Sequence, residues 1–401
     1  MVSIRKFGEV CDFVRGPFGG SLKKSCFVES GYAVYEQQHA IYNQFTEVRY
    51  FVDEKKFNEM KRFELKPNDL IMSCSGTMGK VAIVPNNIKK GIINQALLKL
   101  TPKDFLNVQY LKYWMNSPDF DDRIKENTVG AAIKNVASVK ILKQIDVPIP
   151  PLDEQQQIVA ILDQAFAAID QAKANIEKNI ENAKELFQSK LNQIFSQTGE
   201  GWEEKTLGEV VNIIGGGTPS KKKYDYYNGD IPWATVRDMN TNKLISTDHR
   251  ISKIGLKNSS SNIIQKGNII IATRVGLGKV CVLQQDTAIN QDLKGLVPKS
   301  KYNILNEFIF WWYKSIAKKV VQAGTGATVQ GVKLTFVKEL RFPLAPLSEQ
   351  TRVINNLNKF SHNISILEKK YIQKLNSLEE LKKSILQKAF TGELTQKEIA
   401  I

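Results

Sequence analysis

Apolar residues recur along two long stretches at helical spacing. The first stripe is Ile158, Leu162, Ala165, Ile169, Ala172, Ile176, Ile180, Ala183, Phe187, Leu191 and Ile194, ten steps over 36 residues. The second is Val353, Leu357, Phe360, Ile364, Leu367, Tyr371, Leu375, Leu378, Leu381 and Ile385, nine steps over 32 residues. Both periods lie near 3.6, which predicts amphipathic helices. Neither stretch holds an interior proline or glycine; Asp153 and Ser348 stand where N-caps belong, and Gly199 and Gly392 where helices stop. At ~1.5 Å per residue each rod would be about 65 Å long.

Ahead of each stripe the pattern changes to short β-rich runs between turns. These are Asp69–Ser73, Val81–Val84 and Leu97–Leu100, then Asn268–Ala272, Val280–Leu283 and Gly295–Val297. A helical pattern follows near Val108–Asn116 and Leu305–Ser315, so each globule reads as a mixed α/β domain. The chain repeats itself. Pro151-Leu152-Asp153-Glu154-Gln155 returns 195 residues later as Pro346-Leu347-Ser348-Glu349-Gln350, and both helices close on Thr-Gly-Glu, at Thr198–Glu200 and Thr391–Glu393. Gly8-Glu9-Val10 answers Gly208-Glu209-Val210, and Ile93-Asn94-Gln95 answers Ile289-Asn290-Gln291. The expected domains are a globule at 1–151, a helix at 152–199, a second globule at 200–346, a second helix at 347–394 and a short tail at 395–401. An antiparallel coiled coil of the two helices would relate the halves by a pseudo-two-fold axis.

Charge sharpens this division. The net +15 lies on the globules, +6 on residues 1–151 and +9 on 198–346, while the helical segments carry −3 and +3. Two basic bodies on a neutral rod suit two contacts along one polyanion. No apolar run approaches the ~18 residues of a membrane span, and no leader-like apolar segment opens the chain. Cys11, Cys26, Cys74 and Cys281 lack paired spacing, as expected of reduced thiols in a cytoplasmic protein.

Three loops recur in both globules. The first is glycine-rich and basic, with Arg15, Ser21, Lys23 and Lys24 answered by Thr218, Ser220, Lys221, Lys222 and Lys223; its glycines allow close backbone approach and its cations suit phosphates. The second sets Tyr35, Gln37, Gln38 and His39 against Trp233, Thr235 and Arg237. Gln is fit to read adenine and Arg guanine, although Arg237 could instead brace the loop on Asp238 or Asp230, and Trp233 could belong to the core. The third sets Ser75, Thr77 and Lys80 against Arg274 and Lys279. It departs from phosphate-binding loop spacing, with valine after each lysine, and reads as a hairpin turn beside backbone phosphates. No catalytic or metal site is expected. Asp119, Asp121 and Asp122 read as a solvated helix edge, and no methyl-transfer or zinc-deaminase motif is present.

The order globule, helix, globule, helix, with Pro-Leu-x-Glu-Gln opening both helices, resembles the specificity subunit of type I restriction-modification systems. Pro148–Gln155, Pro343–Gln350, Gly229-Asp230-Ile231-Pro232-Trp233 and the Ser75–Lys80 turn carry the resemblance, which spans essentially the whole chain. It implies a non-catalytic subunit whose globules are target recognition domains, each reading half of an asymmetric gapped site in double-stranded DNA. It also implies helices that set the gap and dock two methyltransferase subunits, with restriction or translocase subunits as further partners. S-adenosylmethionine, ATP and Mg would then belong to those partners, none being held by this chain. Val34-Tyr35 stands where the family more often has Pro-Trp. The competing reading is a nucleic-acid-binding adaptor, for RNA or as a scaffold, outside restriction-modification.

Overall fold

The computed structural model describes residues 2–18, 20–75, 77–126, 139–197, 199–326 and 330–394. Gly19 and Gly76 of the first and third loops, Thr198 of the first helix exit, and the tail 395–401 lie outside the described residues. The chain forms two compact units, residues 1–176 with 373–401, and residues 177–372. The long helices Leu152–Ser196 and Leu347–Phe390 each contribute to both.

In the first unit β1 (Ser3–Lys6) pairs antiparallel with β10 (Asp146–Ile149), which leads into the first long helix. One sheet has the order β2 (Cys11–Arg15), β9 (Leu97–Pro102), β6 (Leu70–Ser73), β7 (Val81–Ile83) and is antiparallel throughout. A second has the order β3 (Phe27–Val28), β5 (Phe51–Val52), β4 (Tyr32–Tyr35), β8 (Gly91–Ile93), with β4 and β8 parallel. β6 is apolar at every position but its last because both of its faces are covered. Leu70 and Met72 join the core beneath helix Val108–Met115, while Ile71 joins a separate core with Tyr35 and Ile93.

The second unit repeats the plan. β11 (Glu203–Thr206) pairs with β21 (Arg341–Leu344). One sheet has the order β12 (Val211–Gly215), β20 (Leu293–Pro298), β17 (Ile269–Ala272), β18 (Val280–Leu283), β14 (Lys243–Leu244). The other has the order β15 (His249–Ile251), β13 (Ile231–Ala234), β19 (Thr287–Ile289), β16 (Asn262–Ile264), with β13 and β19 again parallel. Ile269 and Ile271 face the core of helix Asn306–Gln322, and Ile270 and Ala272 the opposite core.

The long helices use their stripes twice over. Ile158, Leu162, Phe166 and Ile169 enter the core of the first globule, joined by Leu386 and Ala389 from the end of the second helix. Val353, Ile354 and Leu357 do the same in the second unit, joined by Leu191. Full burial of one such leucine contributes about 1.5–3 kcal/mol. The helices run antiparallel in both units, with Lys173 bonded to Glu379 and Lys382 lying 3.8 Å from Asp170 in one, and Lys184 lying 4.0 Å from Glu368 in the other.

The inward register of the second helix differs from the expected stripe. Its shielded positions, Leu357, Ser361, Ile364, Glu368, Tyr371, Leu375, Leu378, Lys382, Ile385 and Ala389, alternate steps of four and three. Leu367 and Leu381 are instead 36% and 46% exposed. Paired helices keep a seam of 3.5 residues per turn, not 3.6, so the apolar period slips off it. Lys382 meets the seam with its stem inward and its ammonium 4.7 Å from the Phe166 ring centre.

Candidate nucleic-acid interface

Gly16, Gly216 and Gly217 of the first loops serve internal packing, while Gly20 and Gly215 face open space. A Cβ on Gly16 would lie 1.8 Å from the Asn94 carbonyl oxygen, and one on Gly216 would lie 2.1 Å from that of Asn290. The close backbone approach expected for phosphate is thus made to the chain's own backbone at the ends of β8 and β19. The polar side chains beside these glycines face solvent. Arg15, Ser21, Lys23 and Lys24 are exposed, as are Ser220, Lys221, Lys222 and Lys223. Among the described residues none of those five lysines has an ion pair. Burial pushes the Cys74 thiol pKa up, and the nearby Arg15 pulls it back. Thr218 Oγ1 donates to Gln291 Oε1, fixing the second loop to the end of β19.

The loops after β4 and β13 diverge. Tyr35 and His39 are fully buried, which corrects their placement among base-reading candidates. The Tyr35 hydroxyl donates to Lys89 O at 2.6 Å. His39 Nδ1 accepts from Glu36 N at 2.9 Å, and Nε2 donates to Glu47 O at 3.0 Å. No ring atom remains for an outside partner. Gln37 and Gln38 are half-buried. Arg49 on the neighbouring segment is held 3.3 Å from Glu36.

Trp233 is likewise 6% exposed, with Nε1 donating to Gly217 O at 3.1 Å, so it braces the glycine loop. Thr235 opens a 3₁₀ turn, Val236–Asp238, and its hydroxyl accepts from Arg237 N at 3.3 Å. The Asp238 carboxylate takes Thr235 N at 2.7 Å, Thr235 Oγ1 at 2.9 Å and Asp248 N at 2.8 Å. Asp238 is therefore occupied, and the exposed Arg237 guanidinium has no partner among the described residues.

The third loops are hairpin turns, β6 to β7 and β17 to β18. Ser73 Oγ donates to Thr77 O at 2.7 Å and accepts from Lys80 N at 3.0 Å, leaving Ser75, Thr77 and Lys80 exposed on a tied turn. In the second hairpin Arg274 lies 3.7 Å from Asp292, and Lys279 Nζ lies 3.4 Å from Val236 O. Arg274 is thus engaged with the scaffold of the reading loop, while Lys279 touches it only at the outer limit of a hydrogen bond.

The helix entries hold residues whose role the motif did not reveal. Gln155 is fully buried; its Oε1 accepts from Asn107 N at 2.7 Å, and its Nε2 donates to Phe105 O at 3.1 Å and Pro150 O at 2.9 Å. Gln350 repeats this with Leu305 N, Asn303 O and Ala345 O, at 2.9, 2.9 and 2.8 Å. Each glutamine latches the long helix to the start of a globule helix and satisfies one of its orphan N–H groups. The return of Pro-Leu-x-Glu-Gln, with its two glutamines 195 residues apart, was the signal available. The Gly-Glu-Val repeats are capping boxes, with Glu9 accepting from Lys6 N at 3.2 Å and Glu209 from Thr206 N at 2.6 Å. Asp119 accepts from Trp114 Nε1 at 3.0 Å and Arg123 Nε at 2.8 Å. Among the described residues no His, Cys, Asp and Glu cluster could hold a metal, and no helix is long and apolar enough to cross a membrane.

A duplicated scaffold carrying basic loops of different sequence is the architecture of a sequence-reading subunit. The family model for the type I restriction modification DNA specificity domain matches the chain twice, at residues 2–182 and 199–377, and the chain belongs to that family. It is 29% identical over 265 residues to the EcoR124I/EcoR124II specificity subunit of Escherichia coli, a match spanning 63% of each chain. It is 24% identical over 372 residues to the putative MjaX specificity subunit of Methanocaldococcus jannaschii, spanning 86% of this chain and 83% of that one. The fold is similar to the HsdS subunit of Thermoanaerobacter tengcongensis, with a TM-score of 0.62 and 18% identity over 98% and 97% of the two chains. A chain solved in work on assembly and conformational transition of the type I R-M system gives a TM-score of 0.76 at 17% identity, covering 98% of both. The chain is a type I specificity subunit, and its task is DNA recognition.

Proposed function

We propose that each globule reads one half of an asymmetric, gapped site in double-stranded DNA, while the paired helices set the gap and dock two methyltransferase subunits. Arg15, Ser21, Lys23, Lys24 and the Ser220–Lys223 loop meet phosphates, together with Ser75, Thr77 and Lys80. Arg237 in one globule and Gln37 and Gln38 in the other meet base edges. Trp233, Thr235, Thr218 and Arg274 hold the second reading loop in place. S-adenosylmethionine, ATP and Mg belong on the partner subunits. The assembled complex is an adenine-N6 DNA methyltransferase, with a restriction translocase completing those complexes that cleave, and it works in the cytoplasm.

One observation carries the reading. After equivalent strands of one scaffold, β4 and β13, the chain presents different turns, and the second ends in an exposed arginine with no partner among the described residues. The test is methylated-base mapping on DNA from cells expressing the chain with its methyltransferase. The expected product is a two-part motif with unlike halves; a continuous or palindromic motif overturns the proposal. Inserting four residues after Gln197 adds ~6 Å of helix and should widen the gap by about one or two base pairs with both half-sequences intact.

A further inference from the structure

The second globule holds a cavity of about 500 Å³. Its walls are the loop 239–242, the β17–β18 turn and the C-terminal half of helix Asn306–Gln322. Lys279, Lys314 and Lys318 line it, and no Asp or Glu does. Lys314 is half-buried, has no ion pair among the described residues and holds its ammonium 5.5 Å from the Phe310 ring centre; burial pulls its pKa down, with the nearby Cys281 acting the other way. Lys279 Nζ reaches only Val236 O and Asn240 Oδ1, at 3.4 and 3.5 Å, the outer limit of a hydrogen bond. Three lysines lining one space, with no carboxylate among its lining residues, favour an anion there. Met239, Leu277 and Val321 add an apolar wall beside them. The turn is seated firmly, since a Cβ on Gly278 (φ +84°) would lie 3.1 Å from Ala317 O.

The first globule repeats one of these cations, Lys80 answering Lys279, but not the other two. In the register that aligns Trp114 with Trp312, Asn116 and Phe120 stand in place of Lys314 and Lys318. The feature is therefore no part of the duplicated scaffold. Cations beside an apolar wall suit a ligand that joins a phosphate to a flat, weakly polar ring.

We propose that this cavity binds a single nucleotide, its phosphate on Lys279, Lys314 and Lys318 and its base against Met239, Leu277 and Val321. The nucleotide is either free or an unstacked unit of a DNA strand. Calorimetric titration of the full chain with dAMP tests this. Saturable binding is expected, with deoxyadenosine at least about tenfold weaker and K314Q/K318Q weakening dAMP about tenfold. Absence of saturable dAMP binding, or equal affinity in the double variant, overturns the proposal. Should the double variant melt early, Lys318→Gln alone changes an exposed residue and should still weaken dAMP about threefold. Competition then separates the sources. Displacement of dAMP by a duplex carrying one unpaired adenine, but not by a fully paired duplex, identifies the strand; displacement by neither identifies the free nucleotide. Equal displacement by both overturns the one-nucleotide reading in favour of a backbone phosphate. The dAMP titration does not depend on sequence reading, so it stands or falls separately from the half-site assignment.

Discussion

Gln155 and Gln350 lie 195 residues apart and make the same three hydrogen bonds to equivalent backbone atoms. Arg49 and Arg237, in contrast, lie in segments that follow equivalent strands and behave in opposite ways. Arg49 is paired to Glu36, while Arg237 is raised on a capped turn whose carboxylate is already occupied. Buried polar groups must be satisfied wherever the scaffold occurs, so duplication preserves them. Exposed side chains carry no such penalty and can diverge between copies at little cost in stability. Equal interiors and unequal surfaces are what a reader of two different half-sites requires.

The strongest test of equal interiors is loss of a latch. Gln155→Ala and Gln350→Ala should each destabilise the chain by about 2–3 kcal/mol, since each strands three backbone groups, one buried and two part-buried. Denaturant unfolding measures this, and costs differing by more than about 2 kcal/mol would break the equivalence of the two scaffolds.

Arg237→Ala probes the unequal surface. It should cost about 1–3 kcal/mol in site affinity and make one position of one half-site degenerate. Methylation mapping that found degeneracy in both halves would refute independent reading, and degeneracy in neither would remove Arg237 from the base contacts.

Replacing Lys221, Lys222 and Lys223 with Gln should reduce the slope of log K against log salt by up to about three units, and replacing Lys23 and Lys24 by up to about two. An unchanged slope in either variant takes that loop out of the interface, so the pair of measurements weighs the two globules against each other.

The smallest effect is expected where the helices meet. The hydrogen bond from Lys173 holds the Glu379 carboxyl below its ordinary range. A depressed carboxyl stabilises above its unfolded pKa of about 4.3, and the contribution fades as pH falls through the folded value. Glu379 is largely exposed, although its partner Lys173 is mostly shielded, so Glu379→Gln should cost less than about 1 kcal/mol at pH 7 and nothing once pH has fallen below the folded value. A cost that persisted in acid would assign the loss to packing.

Much of this plan was legible along the chain because it rests on local rules. Helical period placed the two long helices, alternating turns and apolar runs placed β6, β7, β17, β18 and both core helices, and repetition of Pro-Leu-x-Glu-Gln exposed the duplication. Other features depended on contacts between distant residues. Tyr35 and His39 look like polar readers in sequence but are buried by Phe45 and satisfied from Lys89 and Glu47, partners that only folding brings near. Gly16 and Gly216 of the basic loops suit phosphate in isolation, yet Asn94 and Asn290 fill the space that a side chain there would need. The seam of the second helix passes through Glu368 and Lys382 because pairing, not the period of a lone helix, sets which residues turn inward. Arg237 could be named from sequence as a reader or as a brace; its freedom was decided by three hydrogen bonds that occupy Asp238. Sequence by itself determined the long helices, the central strands and core helices of each globule and their repetition, since backbone geometry and apolar burial act over a few residues. Tertiary structure alone decided which polar groups remained unpaired, because that depends on every neighbour the fold supplies.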